Sequence, residues 1–99
     1  MYTVDFTTLA AADVRHACAW NREQQSGLEE LCLRALHTRI IEIARHPEAC
    51  QVRYRDVRKA IVKRFPYAVY YKLSTRHRMV VIAVQHMQQD EGKWKRRKR

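Results

Sequence analysis

The chain has 99 residues, 46% of them hydrophobic, and its 20 Lys and Arg outweigh 10 Asp and Glu to give a net charge of +10. That length makes one domain with one modest core, and the balance of apolar to charged residues excludes a disordered chain. Six of the basic residues lie in the last seven positions, so residues 1–92 keep an excess of only four. The expected organisation is a single domain over 1–92 and a basic tail over 93–99. A surface of this sign gathers anionic partners: nucleic acid, acidic lipid or acidic protein. For the tail alone, a plain solvated end is the competing explanation. Cys18, Cys32 and Cys50 are an odd number without a C-x-x-C pair, which argues against a disulfide framework or a zinc ribbon. His16, His37 and His46 lack ligand spacing, so neither a metal nor a cofactor is expected. The start, MYTVDF, lacks the basic and apolar regions of a signal peptide, and no stretch approaches about 18 apolar residues. The expected location is the cytoplasm, with no membrane contact.

Tyr2, Val4 and Phe6 alternate with polar residues, which predicts a short strand with one buried side. Thr7 or Thr8 is placed to cap a first helix over about 8–24, free of Gly and Pro, in which Ala10, Val14, Ala17 and Cys18 recur at helical spacing. Ser26-Gly27 breaks it. Ser26 with Glu29 fits a capping box for a second helix over about 27–46, whose stripe is Leu28, Cys32, Leu36, Ile40 and Ile43, widened by Leu31, Leu33 and Ala35. Pro47 stops it. The period then changes to two. Residues 57–64 mix apolar and basic side chains, Phe65-Pro66 interrupts, 67–73 is rich in aromatic and β-branched residues, and 79–86 is the most apolar strand. The order β-α-α-β-β-β is an α+β two-layer domain, a helical hairpin on a mainly antiparallel four-stranded sheet.

Alternation puts Tyr67, Val69, Tyr71 and Leu73 on the core face, with Val80, Ile82 and Val84 as partners. The opposite face then carries Ala68, Tyr70, Lys72, Val81, Ala83 and Gln85, joined by Lys59 and Lys63. Aromatic and cationic groups on an open sheet face suit a base and a phosphate, and also suit an ordinary solvated face. Trp94 is expected to pack the tail onto the sheet, with stacking on a base as the alternative.

Residues 57–94, VRKAIVKRFPYAVYYKLSTRHRMVVIAVQHMQQDEGKW, resemble the C-terminal half of RelE/ParE toxins. The specific parts are the Arg58 strand leading into RFPYAVYY, the strand VVIAV, and His86 followed by Asp90 and Trp94. The N-terminal layout is similar too. The resemblance implies a toxin of a type II toxin–antitoxin, or plasmid-stabilisation, system, held by a small acidic antitoxin. RelE-like members cut mRNA on the ribosome without a metal, whereas ParE-like members share the fold and poison DNA gyrase. Where the nucleases often carry Arg after the Pro-Tyr step this chain has Ala68, and near the end of the last strand it has Met87 and Gln89 in place of basic residues. Lys59 matches a basic position and Lys63 lies nearby; His86 is offset by one. These departures favour the ParE-like branch, with a protein target such as gyrase, over a ribosome-dependent endoribonuclease. No residue is given a firm catalytic role; His86, Lys63 and Tyr70 are the candidates that the nuclease alternative would use. The residues expected to meet the target or a nucleic acid are Lys59, Lys63, Arg64, Tyr70, Lys72, Trp94, Lys95, Arg96 and Arg97.

Overall fold

A computed structural model describes residues 1–97; the last two positions of the expected tail lie outside the described residues. Strand β1 (Thr3–Phe6) leads into helix α1 (Thr8–Gln24). Thr7 is the cap: its side-chain oxygen accepts from the Ala10 amide at 3.1 Å and so satisfies one of the donors a helix start leaves free. Helix α2 (Leu28–Arg45) starts differently from the capping box expected at Ser26. Gly27 occupies the cap in the left-handed region at φ 91°, where a side chain would be strained, and no side chain caps the helix. Glu29 instead meets Arg22 of α1 at 3.3 Å. Pro47 ends α2 and opens a single 3-10 turn, Pro47–Ala49.

Strands β2 (Val52–Tyr54), β3 (Val57–Ile61), β4 (Tyr67–Ser74) and β5 (Arg78–His86) follow, then a one-turn helix α3 (Gly92–Lys95). The sheet order is β1-β5-β4-β3-β2, with β1 parallel to β5 and the other pairs antiparallel. The α+β class is as expected, but among the described residues the sheet has five strands rather than four. The extra one, β2, is only three residues long, too short to show a period, and its turn uses Arg55-Asp56 rather than Gly or Asn, with Arg55 at φ 53°.

Both long helices contribute to the core on one face of the sheet. Ala10, Ala17 and Cys18 of α1 and Cys32, Leu36, Ile43 and Ala44 of α2 join Tyr67, Val69 and Tyr71 of β4 in one core. Strand β4 presents the face expected of it, but β5 does not. Tyr71 pairs with Val81 and Tyr70 with Ala83, so Ile82 is an inserted residue. Before this bulge Met79 and Val81 join the helical core; after it Val84 does, opposite Val69. One extra residue reverses the alternation, which is why Val80 and Ile82 lie on the other side.

That second face is not open. Val57, Ala68, Tyr70, Ile82 and Ala83 form a second buried cluster closed by Trp94, which is wholly inaccessible. The expected junction at 92/93 therefore falls within α3, and Trp94 is the plug of a second, smaller core. Replacing it with Ala removes a fully buried indole and leaves a cavity over Tyr70. We expect Trp94→Ala to lower the free energy of urea unfolding by roughly 3–5 kcal/mol. A loss under about 1 kcal/mol would show that α3 contributes little to the fold.

Candidate functional site

Lys59 and Tyr70 are directly paired across β3 and β4, so their side chains leave the sheet together on the face away from the helices. The turn after β5 returns over them. Within it the Asp90 carboxylate accepts from the Gly92 amide at 2.9 Å, which shapes the start of α3. The preceding residue, Glu91, then reaches the face. Its Oε2 accepts from Lys59 Nζ at 3.1 Å and from Tyr70 Oη at 2.9 Å, its Oε1 accepts from Arg53 Nε at 3.3 Å, and Lys95 Nζ lies 3.8 Å away. Burial alone raises the Glu91 carboxyl, but the hydrogen bonds from Lys59, Tyr70 and Arg53 and the nearby Lys59 charge outweigh it and hold its pKa at about 2. Tyr70 is pushed up to about 12, first by burial and then by its bond to the Glu91 carboxylate. It is a neutral phenol with its proton committed, and unfit to act as a base near neutral pH.

Trp94 lies on Tyr70 with ring centroids 4.5 Å apart and meets Tyr54 edge-on at 5.8 Å, while the Lys95 ammonium sits 5.0 Å above the Tyr54 ring. Tyr70 and Trp94, both singled out as contact residues from the sequence, thus turn their rings to each other. With Tyr70 at 2% exposure and Trp94 at 0%, neither has a free face for a base.

A second clamp ties the chain end to α1. Strand β1 stops opposite Val81, so among the described residues the edge of β5 beyond it has no strand partner. Asp13 Oδ2 accepts from the Val84 amide at 3.0 Å, and Arg97 donates to the Ile82 carbonyl at 2.9 Å. Arg97 and Asp13 are themselves a two-pronged pair at 2.8 and 3.0 Å, with side chains only 16% and 15% exposed. Arg97 is therefore a structural clasp, not a free surface cation. Sequence reasoning had no signal for this pair, because its two members stand 84 residues apart.

Beside the clasp lies a cleft of about 630 Å³ lined by His16, Trp20, His86, Gln88, Gln89 and Lys93, among others. His86 pairs with Tyr67, their rings 5.6 Å apart, on the helical side of the sheet. Its Nδ1 accepts from the Gln88 amide at 3.1 Å. It is thus on the opposite face from Lys59 and Tyr70, and the three do not form one site. Lys63 and Arg64 are exposed on the β3–β4 corner, Lys72 is half-buried next to Val80, and Arg96 is exposed. Among the described residues no three His, Cys, Asp or Glu side chains come together to hold a metal, and no helix is long and apolar enough to cross a membrane.

The Glu91 cluster has a testable pH signature. Its folded pKa lies below its ordinary 4.5, so the stability it contributes is present above about pH 4.5 and is lost as pH falls toward 2. Glu91→Gln keeps the shape but not the charge. At pH 7 we expect it to be less stable than the parent by roughly 1–3 kcal/mol, with the gap closing as pH falls through that window. A gap that stays constant from pH 7 to pH 2.5 would mean that these donors do not hold the carboxylate.

Residues 4–91 match the family described as ParE toxin of type II toxin-antitoxin system, parDE. No curated protein matches the chain. Among solved structures, a chain of the intact E. coli RelBE toxin–antitoxin complex is similar with TM-score 0.62 and 22% identity, covering 90% of this chain and 100% of that one. The isolated E. coli RelE toxin is similar with TM-score 0.62 and 21% identity, over 96% and 94% of the two chains. A chain of the chromosomal ParDE system from P. aeruginosa follows with TM-score 0.61 and 17% identity, over 87% and 96%. At these identities the structural likeness is one of fold. The family match runs from within β1 to Glu91, just before α3, and the chain therefore belongs to the ParE toxin family of type II toxin–antitoxin systems, within the RelE/ParE fold.

Proposed function

We propose that this toxin arrests growth in the cytoplasm by binding a protein target, DNA gyrase, and that a small acidic antitoxin holds it inactive. One observation carries the choice between branches: Glu91 takes up Lys59 and Tyr70 together, under the cover of Trp94. Cutting RNA at a ribose needs a group to accept the 2′-hydroxyl proton and free donors for the phosphate, each contributing about 10²- to 10⁴-fold to the rate. On this face the phenol is neutral and bonded, the lysine is paired to a carboxylate, and Ala68 stands where a donor would help. A carboxylate at the centre also repels a phosphate. The antitoxin partner is supported by the family and by the net charge of +10.

A ribosome-dependent mRNA endoribonuclease is the second reading. The cleft holding His16, His86 and Lys93 favours it, since two imidazoles and an ammonium near one another are the right chemical types. Two assays separate the readings: supercoiling by purified gyrase, and mRNA integrity on translating ribosomes. We expect inhibited supercoiling, intact mRNA, and growth arrest by His86→Ala within about 3-fold of the parent, since a half-buried strand-end histidine outside the main core and without a catalytic role contributes little. Codon-positioned mRNA cuts that His86→Ala abolishes would make the nuclease reading correct.

A further inference from the structure

The two edges of the sheet, β2 on one side and β1 on the other, differ in kind. Strand β2 is three residues long and irregular in register, with Arg53 in it and Arg55 in the turn after it. Short, broken and charged edges of this sort discourage a further strand. Strand β1 is regular in register over Thr3–Phe6. Its one charged side chain, Asp5, is taken by Arg78 of β5 at 2.7 Å. The Thr3 amide donates to the His77 carbonyl at 2.8 Å and the Thr7 amide to the Val81 carbonyl at 3.0 Å, so alternate amides point into the sheet. Those of Val4 and Phe6 point off the edge and have no partner among the described residues.

Beside this edge lies an apolar groove of about 470 Å³, walled by Val4 and Phe6 with Val14 of α1 and Leu33, Ile40 and Ile41 of α2. Phe6 is 42% and Leu33 46% exposed. Among the described residues no Lys, Arg, Asp or Glu lines it. Charge then decides what can cover it. An acidic partner finds no cation in the groove, and Arg78 near the edge is already bonded. A second copy of a chain carrying +10 is repelled from most of the surface and can approach only where the charge is absent, as it is here.

The strand is also complementary to itself. A two-fold axis that pairs β1 with its copy can pass through Asp5 or through Val4. Through Asp5, two carboxylates face each other at the closer spacing of an antiparallel pair, which is destabilising. Through Val4, Asp5 stands opposite Thr3 of the second copy, whose hydroxyl can donate to it, and Phe6 stands opposite Tyr2. The two Val4 residues then exchange amide-to-carbonyl bonds, and each Phe6 amide meets a Tyr2 carbonyl. We propose that this chain forms a two-fold dimer through β1, with the strands antiparallel about Val4, which joins the two sheets into one and covers the apolar groove of each copy. The contact uses the same patch twice and therefore closes as a dimer.

Sedimentation of the full chain tests this. As concentration rises from about 1 to about 100 µM, the mass should climb from 11.9 kDa toward twice that value. Added salt should tighten the dimer, because it screens the repulsion of two cationic bodies across an uncharged contact; attraction to an acidic partner would weaken instead. The Val4 and Phe6 amides should exchange with deuterium more slowly as concentration rises. Phe6→Lys and Thr3→Glu, the latter setting a second carboxylate against Asp5, should each weaken association about 10-fold or more, while Thr3→Lys should not. Thr3 is exposed and beside Arg78, so neither substitution there disturbs the monomer. Leu31→Lys, at an exposed site on the other flank of α2, should leave the mass unchanged. A chain that stays at 11.9 kDa at about 100 µM, or a dimer indifferent to Phe6→Lys or weakened by salt, would overturn the proposal. So would Val4 and Phe6 amides slowed by a leucine- and glutamate-faced peptide of about 18 residues but not by concentration, which would give the edge to an acidic partner. Equal effects of Thr3→Glu and Thr3→Lys would overturn the register about Val4.

Discussion

The Glu91 carboxylate, drawn under Trp94 and surrounded by Lys59, Tyr70, Arg53 and Lys95, decides what one whole side of the sheet can do. Its net contribution to stability is modest, since the gain from its bonds is offset by taking charge out of water. Burial of the indole and of the cluster beneath it is the larger stabilising effect. The carboxylate supplies direction: it sets where α3 docks and so brings the Trp94 ring onto Tyr70. The same contacts that close the face engage its polar groups. A phenol, two lysines and an arginine that would look reactive along the sequence become partners of one anion.

The bulge at Ile82 has a comparable reach. It lets Met79 and Val81 serve the helical core at one end of β5 and Val84 serve it at the other. It also falls where β1 ends, so the backbone of β5 is left with groups that need partners. Asp13 from α1 and Arg97 from the chain end supply them, which binds three distant segments at one point. His86, just beyond, consequently faces the helices and not the Glu91 cluster.

With clusters buried on both faces of the sheet, part of the apolar surface left exposed lies along α2. Its apolar arc is wider than one face of a helix can bury, and the excess emerges on both flanks as grooves, one rimmed by Arg and Lys and the other lined by Val4, Phe6, Val14, Leu33 and Ile40. The chain's excess positive charge favours encounter with acidic proteins.

The α+β class, the two long helices, a threonine cap at Thr7 or Thr8, the stop at Pro47, the break at Phe65-Pro66 and the buried face of β4 were all legible along the chain. Each depends on periodicity or on a hydrogen bond within a few residues, which neighbouring side chains determine. Gly27 displaced Ser26 as a cap because the tight reversal between helices demanded positive φ, and β2 was too short to leave a pattern. Of the candidate site, the sequence showed the right residue types but not their engagement. Lys59, Tyr70, Trp94, Lys95 and Arg97 are all present on or near the sheet as their positions suggest, yet most are committed to other side chains. Glu91 was not singled out, because a lone glutamate in a polar turn carries no local sign that it will be buried. Its bond to Tyr70 spans 21 residues and that of Arg97 to Asp13 spans 84. Such pairings depend on where whole elements come to rest, and the one-residue bulge in β5 is enough to redirect them. Local rules therefore determined which elements form, and only the tertiary structure decided which charges and rings remain free to act.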